Sequence, residues 1–192
     1  MSSLQKAWYY TKKKDKFYTE RSEEKRLAYL NQIKDICKKD LVSVDESGIQ
    51  EYLYKTYGYA IRGEKIPGGV RGSSFTRENL IAAKCGKKIL APMCFTGACD
   101  SELFIFWVKE FLIKELKSGQ TVIMDNATFH KSKQVRKLIE SVGCRLIYLP
   151  PYSPDLNPIE KFWAWLKNKI RETAHLFHTL QQAVDHIFKT SY

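Results

Sequence analysis

The chain holds little of what staples, anchors or threads a protein. Its five cysteines are odd in number and form no C-x-x-C pair, so neither a disulfide framework nor a standard zinc site is indicated, and a reducing cytosol fits best. Only four histidines occur. His175 and His178 could share a helix face, but without a matching Cys or His pair they read as surface or packing residues rather than metal ligands. No stretch approaches roughly 18 uninterrupted apolar residues, so no membrane span is expected. The start, MSSLQKAWYYTKKKDK, lacks the apolar core of a signal peptide. Acids are scarce as well. Asp and Glu number 21 against 32 Lys and Arg, a net charge of +11 with pI near 9.4, and this surplus favours a polyanionic partner, nucleic acid ahead of an anionic membrane surface.

What is present fits a globular α/β chain. At 192 residues, 44% hydrophobic and 13% aromatic, it has the material for one packed domain, with or without a short appendage. Residues 1–19 are polar, basic and aromatic without a period. Residues 20–38 carry Leu27, Leu30, Ile33 and Cys37 at near-helical spacing, so an arm followed by an amphipathic helix is expected. Leu41–Val44 is β-prone and runs into Asp45, with Gly48 read as a turn. Glycines and Pro67 mark 57–75 as irregular or hairpin. Two further β-prone runs, 79–85 and 88–96, flank a turn at Lys84–Lys87. Ser101 is expected to cap a largely buried helix containing Leu103, Phe104, Phe106, Trp107, Phe111 and Leu112, with Glu102 in its first turn.

The second half carries the sharper pattern. Thr121–Met124 is a strand followed by Asp125 and Asn126, a helix spans about 132–141 and is closed by Gly143, and 145–149 is again a strand. Strand, helix, strand with short links is a right-handed crossover with parallel strands. Ligands of such sheets gather at the carboxyl ends of the strands, where Asp45 and Asp125 are expected. Four of the six prolines then fall within PPYSPDLNPIEKFW, residues 150–163. Asn157 and Pro158 start a helix with Glu160 in its first turn, and two readings stay open. Glu160 either returns to the cap as half of a capping box, or it is aimed at the strand ends. Ile159, Phe162, Trp163, Leu166 and Ile170 form the stripe to be buried. Glu160, Lys167 and Arg171 share another face, an order that suits metal and then phosphate along one groove, and equally a solvated helix face.

Three segments carry a resemblance. VDESG at 44–48, VIMDNATFH at 122–130 and LPPYSPDLNPIEKFWAWLK at 149–167 resemble the catalytic domain of DDE transposases, in particular the mariner-like bacterial insertion-sequence 630 type. Residues 126 to 159, 34 in all, separate Asp125 from Glu160, a spacing that resembles the family's. The likeness covers about residues 40–180. It implies a ribonuclease H-like mixed sheet flanked by helices over 40–192, preceded by a short N-terminal helical arm over 1–39. The arm is expected to be the remnant of a linker to a helix-turn-helix region of the family that this chain does not show.

The resemblance also implies a chemistry. Cutting a DNA phosphodiester with water and joining the freed 3′-hydroxyl elsewhere both need an activated oxygen nucleophile and a stabilised leaving oxyanion. Two Mg²⁺ ions, with Mn²⁺ as substitute, supply both when about 3.5–4 Å apart. Asp45 would bridge the ions, and Asp125 and Glu160 would complete one each. Glu46, Asn126 and Asn157 are supporting candidates, Asn126 as an orienter of Asp125 or of a bound water. His130, Lys131, Lys167 and Arg171 are candidate DNA contacts, His130 alternatively only starting the next helix. Asp100 and Asp155 are expected to be cap or turn acids. The implied partners are DNA at element ends and target, and a second copy of the chain, in the bacterial cytoplasm at the nucleoid. A truncated transposase that binds DNA without cutting it would keep the same charge and fold. A ribonuclease H acting on RNA–DNA hybrids fits the fold but not the YSPDLNPIE segment.

Overall fold

A computed structural model describes residues 19–50, 61–63, 65 and 77–191. The expected basic arm therefore lies almost wholly, and the glycine-rich 57–75 region largely, outside the described residues. The elements run α1 (Glu23–Ile33), β1 (Leu41–Gln50), β2 (Arg77–Cys85), β3 (Lys88–Thr96), α2 (Ser101–Trp107), α3 (Ile113–Glu115), β4 (Thr121–Met124), α4 (Lys133–Ser141), β5 (Arg145–Tyr148), α5 (Ile159–Thr173) and α6 (Leu180–Ser191). The five strands form one sheet in the order β3-β2-β1-β4-β5. The β1–β2 and β2–β3 pairs are antiparallel, and the β1–β4 and β4–β5 pairs parallel. The expected crossover is thus β4–α4–β5. No helix of the described residues is long and apolar enough to cross a membrane.

Alternation along the strands divides the core between the two faces. Val42, Val44, Val122 and Met124 point toward Phe104, Trp107, Val135 and Ile139 of α2 and α4. Ile49, Leu80 and Ala82 meet the predicted α5 stripe of Ile159, Phe162, Trp163, Leu166 and Ile170, backed by Leu180, Val184 and Ile187 of α6. Ile123 and Ile147 pack with Leu149 and with Tyr29 of α1. All four residues of β4 are buried, as expected of a strand covered on both faces.

Several local expectations shift. α1 buries Tyr29, whereas Leu27 and Leu30 are exposed, so the packed side of this helix is rotated from the leucine spacing. β1 does not turn at Gly48 but runs to Gln50. A side chain at 48 would collide with the guanidinium of Arg77. Gly48 therefore clears room for Arg77, which is in register with Gln50 and lies diagonally across from it on β2. The β2–β3 hairpin closes around Gly86, which has φ +58°. Asp100, not Ser101, caps α2 and accepts from Leu103 N at 2.8 Å. Phe106 and Phe111 are exposed, because the helix and the π-turn at Val108–Leu112 that follows it touch the sheet along only one side.

Candidate active site

The site begins where β4 ends. β1 pairs with β4 only from Leu41 to Ser43, so beyond Ser43 its edge is uncovered and Asp45, two residues on, faces an open crevice. Asp45 is therefore within a strand rather than at its end, but it sits where the neighbouring strand stops. Asp125 immediately follows Met124, the last residue of β4. Asp45, Asp125, Asn126, Asn157 and Glu160 line one cleft of about 520 Å³, whose far wall is the proline-rich segment Pro150–Pro154. The structure brings all three expected carboxylates together.

Each acid is held differently. The buried Trp163 donates from Nε1 to Oδ2 of Asp45 at 3.1 Å. Burial pushes the Asp45 carboxyl up to about 7, reinforced by the negative charges of Glu160, Glu46 and Asp125. Asp125 Oδ1 accepts from Ala127 N at 2.9 Å and lies 2.5 Å from His130 Nδ1. Burial is the largest single influence and raises the Asp125 pKa, but the His130 hydrogen bond, the Ala127 backbone N–H and the positive charges of His130 and Lys131 together outweigh it and hold the group below its ordinary value. Glu160 is exposed at the start of α5 and makes no side-chain cap bond.

That last observation separates the two readings of Glu160. A capping box needs the backbone N–H of Asn157, which instead donates to Pro154 O at 2.9 Å. Pro158, not Asn157, is the cap residue, and no side chain caps this helix. Asn157 is buried, with Oδ1 unpartnered, so it is a cleft-lining group and not the expected cap. The prolines and the 3₁₀ turn Pro154–Leu156 set the direction in which α5 leaves the sheet. Arg26 of α1 grips this turn in a two-pronged pair with Asp155, at 2.9 and 2.7 Å. Asp155 is a turn acid, as expected, and Asp100 a cap.

His130 departs from its expected part at a DNA phosphate. It is fully buried, in the 3₁₀ turn Phe129–Lys131, between the rings of Phe104 and Phe129. Both ring nitrogens are occupied, Nδ1 by Asp125 and Nε2 by Glu46 Oε1 at 2.9 Å, while its carbonyl accepts from Tyr148 Oη at 2.9 Å. Burial alone would depress its pKa, but hydrogen bonds and charge from the two carboxylates raise it to about 9. The doubly bonded imidazolium thus links Glu46, on the α2 face of β1, to Asp125 at the end of β4. Asn126 does not orient Asp125. Its amide donates to Leu149 O, tying the ends of β4 and β5 together. Lys131 is exposed, Lys167 is half-buried and Arg171 is exposed with Nη1 on Asn168 Oδ1 at 2.6 Å. None of these three lines the cleft.

Neither the Trp163–Asp45 bond nor the Glu46–His130–Asp125 chain was read from the sequence. The available signals were the indole N–H within an otherwise apolar stripe, which needs an acceptor when buried, and a histidine five residues after the aspartate. Among the described residues no three His, Cys, Asp or Glu side chains are close enough as they stand to hold a metal ion.

No curated protein matches the chain. Among solved structures it is similar to the Mos1 transposase paired-end complex with left transposon end, at 15% identity and TM-score 0.65 over 84% of this chain and 53% of that one. The Mos1 strand transfer complex matches at 16% identity and TM-score 0.69 over 94% and 57%. The catalytic domain of Mos1 mariner transposase matches at 14% and 0.61 over 93% and 86%. The chain spans about half the length of the first two. At these identities the likeness establishes the fold, a mixed five-stranded sheet flanked by helices of the ribonuclease H-like type. The family pattern described as DDE superfamily endonuclease matches residues 40–182, most of the sequence, and the chain belongs to that family.

Proposed function

We propose that the chain is the catalytic domain of a mariner-type DNA transposase that cleaves DNA phosphodiesters and transfers the freed strand, with Asp45, Asp125 and Glu160 holding divalent metal. The observation that carries this reading is the convergence of three carboxylates on one cleft, with Asp45 pushed up to about 7 by burial and by its acidic neighbours. Such crowding disfavours the ionised form until a cation relieves it. The donors fit Mg²⁺ or Mn²⁺: they are hard carboxylate oxygens on an open cleft, and the exposed Glu160 is free to approach the other two. Solved Mos1 structures with Mg and with Mn support the same choice. When bound, two such ions activate an oxygen nucleophile and stabilise the leaving oxyanion of an in-line displacement.

The protein side chains supply position. Trp163 fixes one oxygen of Asp45 from below. Protonated His130 donates to Oδ1 of Asp125 and so orients a carboxylate that lines the cleft. The same ring's second N–H holds Glu46. The proline wall keeps the start of α5 at a set angle, so Glu160 reaches the crevice without a cap bond restraining it. Lys131, Lys167 and Arg171 serve as DNA-backbone contacts beyond the cleft. The paired-end complex of Mos1 with a transposon end supports DNA ends as the partner, and a second copy of the chain is part of the same proposal.

The test is cleavage of plasmid DNA by the purified chain in Mg²⁺ or Mn²⁺, with a chelator control. Metal-dependent cutting that disappears in Asp45→Asn, Asp125→Asn and Glu160→Gln is expected. Full cutting by Glu160→Gln would overturn the assignment of that residue, and cutting that persists in chelator would overturn the metal-dependent reading.

A further inference from the structure

At the opposite end of the sheet from the carboxylates lies a larger concavity of about 1400 Å³, formed by the start of β1, the β2–β3 hairpin and the segment after α3. Five lysines line it: Lys39, Lys84, Lys87, Lys88 and Lys117. Its two acids are Asp40 and Glu115, and Glu115 is engaged by the backbone N–H of Ala91 at 2.8 Å. None of the five lysines forms an ion pair among the described residues, and only Lys84 has its ammonium engaged, donating to the Gly86 carbonyl. Lys109 and Lys114 both pair with Glu110 and Lys169 with Glu172, while Lys131, Lys133 and Lys137 also lack ion pairs among the described residues, so what sets the five apart is their gathering in one concavity. The sheet holds these cations together. Val42 is opposite Cys85 and Leu41 opposite Thr121, so the start of β1, the hairpin and the loop before β4 meet at one end. Lys39, Lys87, Lys88 and Lys117 are exposed.

We infer that this lysine-lined concavity is a second DNA-backbone site, gripping duplex away from the cleavage cleft. The inference rests on the proposed DNA substrate, and it adds a surface that the cleft chemistry does not require. Unpaired cations in a concave wall focus positive potential outward, and a polyanion neutralises them with release of its counterions. Duplex DNA is the fitting occupant because it presents a continuous phosphate row. The four steps from Leu41 to Asp45 rise about 13 Å along an extended strand, so one molecule can hold DNA here while another segment occupies the cleft.

The experiment compares two variants of equal charge in the full chain. Lys87→Ala/Lys88→Ala removes two cations of the concavity, and Lys109→Ala/Lys114→Ala removes two from the ion-paired helix surface. Affinity for a short random-sequence duplex is measured against salt, with vesicles containing anionic phospholipid as a parallel probe. The hairpin variant should lower the log–log salt slope by about 2, at roughly 0.9 per lost phosphate contact. The helix variant should leave the slope as in wild type. Equal slopes for wild type and hairpin variant overturn this site alone, as does an equal fall in both variants, which would mean only net charge matters. A wild-type chain that binds vesicles but no duplex overturns this site and the DNA reading together. Plasmid cleavage that persists while the hairpin variant keeps the wild-type slope leaves the proposed function standing and removes only this surface.

Discussion

The two ends of the sheet are electrostatic opposites, and they are organised differently. At the end where β4 and β5 finish, Asp45, Glu46, Asp125 and Glu160 converge, and three of them are tied or crowded by buried partners. At the hairpin end, five lysines line an open concavity with few constraints. Anions crowded near a low-dielectric core must be oriented, because their mutual repulsion would otherwise splay them, whereas surface lysines at the ends of flexible stems need only be numerous. In the proposed reading, order at one end suits placing a reacting group and surplus charge at the other suits holding a polymer.

The largest expected effects test the ordered end. Asp45→Ala, Asp125→Ala and Glu160→Ala should each lower metal-dependent cleavage by on the order of 10²–10³-fold or more, the scale seen when a group that stabilises developing charge is removed. Circular dichroism and cleavage rates read this. A carboxylate variant that cuts normally breaks the claim that this end performs the chemistry.

Removing the support rather than the carboxylate should cost less. His130→Ala frees Asp125 and Glu46, and Trp163→Phe frees Asp45 while keeping a buried ring. About a 10–100-fold loss of metal affinity or rate is expected for each, as for partners that orient metal ligands. Mn²⁺ titration by calorimetry checks this. Unchanged Mn²⁺ affinity in both would make the network merely structural.

The pH response of the metal-free protein follows from the same groups. Asp45 has its folded pKa raised to about 7, above its unfolded value near 3.8, so the folded state binds the proton more tightly and stability falls as pH rises between about 4 and 7. His130, raised to about 9, contributes stability that is complete below its unfolded value and lost as pH climbs from about 6.5 through 9. Asp125 runs the other way: its folded pKa is lowered, so its contribution is lost on acidification. Denaturation in chelator should therefore show stability falling by a few kcal/mol from mildly acidic to alkaline pH. Added Mn²⁺ should raise the melting temperature more at pH 8 than at pH 5, because binding requires deprotonated ligands. An equal metal shift at both values would contradict the crowding at Asp45.

The smallest effects sit at the borders of the comparison. Gly86→Ala, in the hairpin at φ +58° with open space around it, should cost about 1 kcal/mol through backbone strain alone and leave the metal response intact. Asp155→Asn loosens Arg26 from the proline turn. Asp155 is largely solvent-exposed, so about 1 kcal/mol or less is expected in chemical denaturation. A larger loss would show that α1 does more to hold the start of α5 than a pair with one exposed partner allows.

Much of this was legible in local pattern. The apolar run Thr121–Met124, the amphipathic stretch to Ser141 and the β-prone run after Gly143 correspond to β4, α4 and β5, because period and turn residues are properties of a few consecutive positions. The stripe Ile159, Phe162, Trp163, Leu166 and Ile170 is buried as its spacing indicated. Gly48 misled because a glycine required for clearance looks the same in sequence as one required for a turn, and only the strand register puts Arg77 beside it. α1 misled because leucine spacing marks an apolar side but not which side meets the sheet. His130 reads from sequence as a DNA contact or the start of a helix because nothing local shows that Phe104, Phe129 and Tyr148 enclose it.

The sequence by itself determined the element types of the second half, the surplus of positive charge and the three acids whose family resemblance points to phosphodiester chemistry. Tertiary structure alone decided what surrounds those acids. Glu46 meets His130 across 84 positions, Trp163 meets Asp45 across 118, and Arg26 meets Asp155 across 129. Periodicity carries information over one or two turns of a helix or a few residues of a strand, whereas contacts at those separations depend on strand order and on where β4 stops. The pairing of β1 with β4 ends at Ser43, and this opens the crevice and lets carboxylates from two strands and a helix share it.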